Sequence, residues 1–174
     1  RRELEQAVEK ADTPTEAIRA RLALANWWLA VPTAQPATRW LLGMENQADR
    51  KTIAHAAGQG AVQLKEARSA LDGLPKAAET DAKRRQNELR SAAETLESFA
   101  EIFERAESAG ETPADQENWR QAGRGLTIAR ESDNKELAAA ALLWQAFAFE
   151  QAGKRDRALD ALPVALAKIG RAHV

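Results

Sequence analysis

The chain contains no cysteine and no tyrosine, and only two histidines. Without cysteine there is no disulfide, no thiol nucleophile and no thiolate metal site, and both the cytosol and the periplasm stay open as compartments, with the cytosol preferred. His55 has Gln59 one helical turn further on, where a metal pair or an acid–base dyad needs a second histidine or a carboxylate; His173 stands beside the chain end. Gly58-Gln59-Gly60 lacks the lysine and the preceding strand of a phosphate loop. Glu94, Glu97 and Glu101 share a helix face, but carboxylates at that spacing ordinarily solvate a long helix. No catalytic residue, metal or cofactor is therefore expected, and an enzyme is the least favoured reading.

A surplus of one charge is also missing. Lys and Arg number 25 against 26 Asp and Glu, so no global field holds the chain on nucleic acid or an anionic membrane, and direct nucleic-acid binding is not expected. The longest apolar runs, such as residues 22–31, fall short of a membrane span and are interrupted by Asn26. No alternating run of β-branched residues is long enough for a strand.

What is present is helix-forming sequence: 44% apolar and 29% charged over 174 residues, which suits one folded all-α domain. The chain begins at Arg1 and not at methionine, and we expect it to be a piece of a longer protein. Thr13-Pro14-Thr15-Glu16 and Thr112-Pro113-Ala114-Asp115 are matching helix starts, each with a capping threonine, a proline at the first helical position and an acid in the first turn. Helices are expected over residues 3–11, 14–31 and 36–47, in a stretch reaching 72, and over 75–109, 113–131, 134–152 and 154–169. Gly73, Gly110, Gly153 and Gly170 stand where left-handed caps are expected.

Three regions follow. Residues 1–47 hold N-terminal helices with a degenerate repeat, residues 48–110 a long hairpin, and residues 111–174 one full repeat with a half repeat before it. In the middle region Ile53, Ala57, Gly60, Leu64, Ala67, Leu71 and Leu74 form a heptad seam, answered after the Gly73-Leu74-Pro75 break by Leu89, Ala92, Leu96, Phe99, Phe103 and Ala106. Two such helices pack as an antiparallel hairpin of coiled-coil type. Gly58 and Gly60 either weaken the first arm or admit close helix approach. The second arm carries Lys83, Arg84, Arg85 and Arg90, then Glu94, Glu97, Glu101, Glu104 and Glu107, read mainly as a solvated face. Trp27 and Trp28 point about 100° apart on a helix, so core filling under a wide cover is preferred to a groove or dimer contact.

Ala122, Leu126 and Ala129 recur as Ala158, Leu162 and Ala165 with unchanged internal spacing, the mark of stacked helix pairs. Together Ala146, Phe149, Gly153, Ala158, Leu162 and Ala165 resemble a tetratricopeptide repeat, and the text from residue 129 to 159 is similar in style to the helical-repeat sensor domains of large ATP-dependent bacterial transcription activators. Gln145 replaces a usual leucine, Gly170 a usual proline, and Pro163 predicts a kink in the last helix. Ala25, Trp28, Pro32, Ala37, Leu41 and Met44 repeat the spacing near the N-terminus, with proline at the turn.

The resemblance implies a superhelical repeat fold and a groove for a protein or peptide partner, with Leu143 and Phe147 as apolar anchors and Glu150 and Arg19 as flanking charges. The expected function is a non-enzymatic interaction or scaffold module. The alternatives are an effector-sensing regulatory segment of a larger signalling or transcription protein and a structural homodimer module.

Overall fold

The computed structural model of the chain describes residues 1–44, 46–77, 79–107, 113–130 and 135–172. Among these the secondary structure is entirely helical: α1 (Arg2–Glu9), α2 (Pro14–Leu41), α3 (Gln47–Asp72), α4 (Thr80–Glu107), α5 (Pro113–Arg130), α6 (Lys135–Gln151) and α7 (Arg155–Ala172). No helix among the described residues is long and apolar enough to cross a membrane.

The start of α2 follows its sequence signal. The Thr13 hydroxyl accepts from the Glu16 amide at 3.2 Å, and the Glu16 carboxylate accepts from the Thr13 amide at 3.1 Å. Thr112 lies outside the described residues. A second capping box, Asn46 with Asp49, opens α3.

Two expected helices, over 14–31 and 36–47, are one continuous α2 that runs through Pro32 and Pro36. The degenerate N-terminal repeat is thereby corrected: residues 25–41 form no helix pair, and Met44 is exposed. Each interior proline removes a helical hydrogen bond and costs about 3 kcal/mol in an isolated helix. Burial on several sides offsets this cost, since Leu29, Ala30, Thr33 and Ala37 are all covered and α2 packs against α1, α3, α4 and α6. Thr33 satisfies its buried hydroxyl by donating to the Leu29 carbonyl at 2.5 Å and accepting from Trp144 Nε1 at 3.4 Å.

Most of the α3 seam is buried, at Ile53, Gly60, Leu64, Ala67 and Leu71, but Ala56 takes the buried place expected of Ala57, which is half-buried. Gly60 marks a close approach, because a Cβ there would stand 2.9 Å from Leu29 Cγ, whereas Gly58 faces open space. On α4, Leu89, Leu96, Phe99 and Phe103 are buried, but Ala93 replaces the expected Ala92, which is exposed. The side chain of Ala106 lies outside the description. The two arms do pack together, yet α3 lies more extensively against α2, so α2, α3 and α4 close mutually into a three-helix unit.

Of the expected glycine caps, the one at Gly153 is formed and others are not. Gly153 is left-handed at φ 68° and ends α6, with the Lys154 amide donating to the Phe149 carbonyl and the Gly153 amide to that of Glu150. Gly43, at φ 66°, ends α2 by the same pair of bonds, to Arg39 and Trp40. By contrast Gly73 is right-handed, Gly170 lies within α7, and Gly110 is outside the described residues. Pro163 also lies within α7 and does not end it.

Helix α6 is the axis of the C-terminal half. Every residue from Leu137 to Phe149 is buried, and its alanines let α2, α5 and α7 approach on different sides. One core joins α2 through α6. A smaller cluster of Leu24, Trp28 and Ala56 is covered by Leu4 and Val8 of α1 and by Trp27, which accounts for the tryptophan pair as core filling.

Candidate functional site

Phe147 is completely buried, at the centre of a ring cluster with Trp40 at 4.7 Å, Trp144 at 5.2 Å and Trp119 at 5.3 Å between centroids. Leu143 is likewise fully buried in the main core. The expected anchors are therefore corrected: the chain's own helices occupy the space assigned to a partner, because the face of α6 that bears Leu143 and Phe147 turns into the core beside α2. Glu150 and Arg19 are exposed, but neither is among the side chains that line the groove on α6.

That groove lies on another face of α6. α5 and α7 each pack against α6, yet they do not contact one another among the described residues. The floor is Leu142, Gln145 and Phe149, spaced three and four apart on one α6 face. Arg124, Thr127 and Arg130 of α5 form one wall, and Arg157, Asp160, Ala161 and Val164 of α7 the other. The cleft measures about 770 Å³.

Gln145, which departs from the repeat pattern, holds the floor in place. Its buried amide donates to the Gly123 carbonyl at 2.7 Å and to the Thr127 hydroxyl at 3.3 Å, while its oxygen accepts from Arg130 at 3.4 Å. A leucine here would leave the Gly123 carbonyl and Thr127 without that partner. Beside it, Gly123 lets Phe149 lie close to α5, since a Cβ would stand 3.1 Å from the ring. The Arg157 guanidinium sits 5.9 Å from the Phe149 ring centroid.

The cleft continues past Phe149 into a second one of about 540 Å³, lined by Arg120, Arg124, Gly153, Lys154, Arg155, Asp156 and Arg157. Glu117 is bound to Arg120 at 2.6 Å, and this hydrogen bond holds its carboxyl below the usual carboxylate range despite the opposing effect of burial. Among the described residues the lining of the two clefts presents six cations and two carboxylates, with one of the cations, Arg120, paired to Glu117, although the whole chain carries a net charge of −1.

Other candidates remain separate from this groove. A cleft of about 240 Å³ lies between α2, α3 and α4, with Trp40, Ile53 and Phe103 below Arg50 and Lys51; the Arg50 guanidinium stacks 5.2 Å from the Trp40 centroid. Next to it, Arg39 grips the buried Asp49 carboxylate through both Nε and Nη2 and ties the end of α2 to the start of α3. These hydrogen bonds hold the Asp49 carboxyl below its usual range, against the opposing effect of burial.

The α4 carboxylates are partly engaged, Glu97 by Arg68 at 2.8 Å and Glu101 by Arg105. His55 is exposed and touches Trp28 edge-on at 5.4 Å; His173 lies outside the described residues. Among the described residues no group of three or more His, Asp or Glu side chains is placed to hold a metal ion.

The sequence reading missed the groove because it depends on α5 and α7 staying apart, which neither helix encodes alone. The arginines at 120 and 124, together with Thr127 on the same α5 face, were its legible trace. In comparison with known proteins, the chain matches no family model, no curated protein and no solved structure.

Proposed function

We propose that the chain is a non-enzymatic interaction module, tetratricopeptide-like in its C-terminal half, which holds a peptide or helix of a protein partner between α5 and α7. The observation that carries this reading is the open trio: two helices flank α6 without meeting, and leave a groove whose floor is apolar at both ends and amide-locked in the middle. Support for the repeat-like character comes from the α6–α7 hairpin, with Gly153 in its turn and Ala146 and Ala158 buried. A groove with a few fixed polar groups and exposed apolar edges such as Val164 suits a short segment of a partner.

The test is selection of a random dodecapeptide library on the immobilised chain. Selected peptides should shift the methyl resonances of Leu142, Ala161 and Val164, and Ala161→Trp should abolish binding by filling the groove. Failure to enrich any peptide, or shifts confined to other helices, would overturn the reading.

A regulatory sensor of small effectors is the second reading, favoured by the Trp40–Phe103 cleft. At about 240 Å³ that cleft is much smaller than the groove. Quenching or enhancement of tryptophan emission by a metabolite panel, lost in Trp40→Phe, tests it.

A further inference from the structure

Resting on the groove reading, we infer that the partner segment is acidic and binds in one direction, with its carboxylates at the α7 N-terminal end and an apolar side chain at the Val164 end. The direction follows from the helix arrangement. Contacts of Gln145 with Gly123 and Thr127, and of Phe149 with Gly123, run α5 antiparallel to α6, and the Gly153 turn reverses the chain again into α7. α5 and α7 are therefore parallel, and residues of similar depth face each other across α6.

At one end Arg120 and Arg124 face Lys154, Arg155, Asp156 and Arg157, and at the other Thr127 and Arg130 face Asp160, Ala161 and Val164. The first end is dominated by cations. The second has an apolar floor in Leu142 and an apolar wall in Ala161 and Val164, of which Val164 is 49% exposed. From Arg120 to Arg130 the α5 wall spans about 15 Å at the rise of an α-helix, room for roughly three turns of a partner helix.

Charge complementarity selects an anionic partner, and its distribution selects a peptide over a nucleic acid. Asp156 and Asp160 stand on the same wall as the α7 cations and would repel a continuous phosphate backbone, whereas a peptide places carboxylates only opposite the arginines. Among the described residues the groove lining also offers no open aromatic face on which bases could stack, since Phe149 is 9% exposed and lies beside Arg157.

The experiment reads the sequences of the selected dodecapeptides and the affinities of synthetic copies for the full chain. Enriched peptides should carry two or more Asp or Glu residues on one side of a large apolar residue. Raising salt from about 50 to about 300 mM should weaken them roughly tenfold, as expected for charge pairing on an accessible surface. Combined Arg124→Glu and Arg157→Glu should weaken them by roughly a further tenfold or more, while Arg124→Lys with Arg157→Lys should retain most of the affinity. Both side chains are exposed, and an unchanged thermal midpoint in each variant shows that folding is intact.

Enrichment of neutral or basic peptides that still shift the Leu142 and Val164 methyls would overturn the acidic partner and leave the groove reading standing. Absence of any enrichment would overturn both. Displacement of an acidic peptide by a single-stranded oligonucleotide at equal concentration would also overturn the inference, in favour of nucleic acid.

Discussion

Each half of the molecule contains a three-helix unit, α2–α4 in the first and α5–α7 in the second, and the two units close differently. In the N-terminal half α2, α3 and α4 all touch one another, and the cleft described between them is about 240 Å³. In the C-terminal half α6 carries the apolar surface on nearly all sides, and α5 and α7 attach to it separately. A helix apolar on several sides can serve several partners, and α2 and α6 both do. The halves differ in their flanking helices: α3 and α4 pack against each other beside α2, whereas α5 and α7 stay apart beside α6 and leave the groove.

The largest test of this difference is Trp144→Ala. The ring is fully buried against Phe103 and Phe147 and donates to Thr33, so its removal should cost about 3–5 kcal/mol, read as a lower denaturant midpoint with loss of cooperativity between the halves. A midpoint shift confined to a separate C-terminal transition would show that the halves are not joined through α6.

Next comes the close approach of α3 to α2 at Gly60. Gly60→Ala should overpack Leu29 at a cost of about 1–3 kcal/mol, which outweighs the ~1 kcal/mol that alanine gains in helix propensity. Gly58→Ala, two residues away in open space, should instead stabilise by about 1 kcal/mol. Thermal melts of the pair measured together separate close approach from propensity.

The link between α2 and α3 depends on pH. The folded-state pKa of Asp49 is depressed below the ordinary value of 3.8. Its contribution is therefore complete above that value and is lost as pH falls through the depressed one. Asp49→Asn should lower the midpoint at pH 7 and flatten the acid limb of the stability profile; an unchanged acid limb would place the dependence elsewhere.

The smallest effect should come from the groove wall. Arg124→Gln removes an exposed cation from the open half and should change stability by less than about 0.5 kcal/mol while weakening acidic peptides. A large loss of stability there would mean that the wall is structural.

Much of the fold was legible. The Thr13 cap, the α3 seam, the Gly153 turn and the all-helical class follow from local chemistry that each segment carries by itself. The prolines misled, because the cost of Pro32 and Pro36 is local whereas its compensation is the burial of α2 by helices distant in sequence. Ala92 and Ala93 were indistinguishable by residue type, and only the rotation of α4 against its neighbours buried the second. The site was the least legible part. Repeat spacing assigned Leu143 and Phe147 to a groove, but α2 and the tryptophans at 40, 119 and 144 cover that face.

The sequence by itself determined the all-helical class and where several of the helices start and stop. Those properties depend on neighbours within a few residues. Only the tertiary structure decided which sides of α6 are covered and which side stays open. That choice arises from α2 reaching across from the other half and from Gln145 binding α5, contacts between residues far apart in the chain that no local pattern specifies.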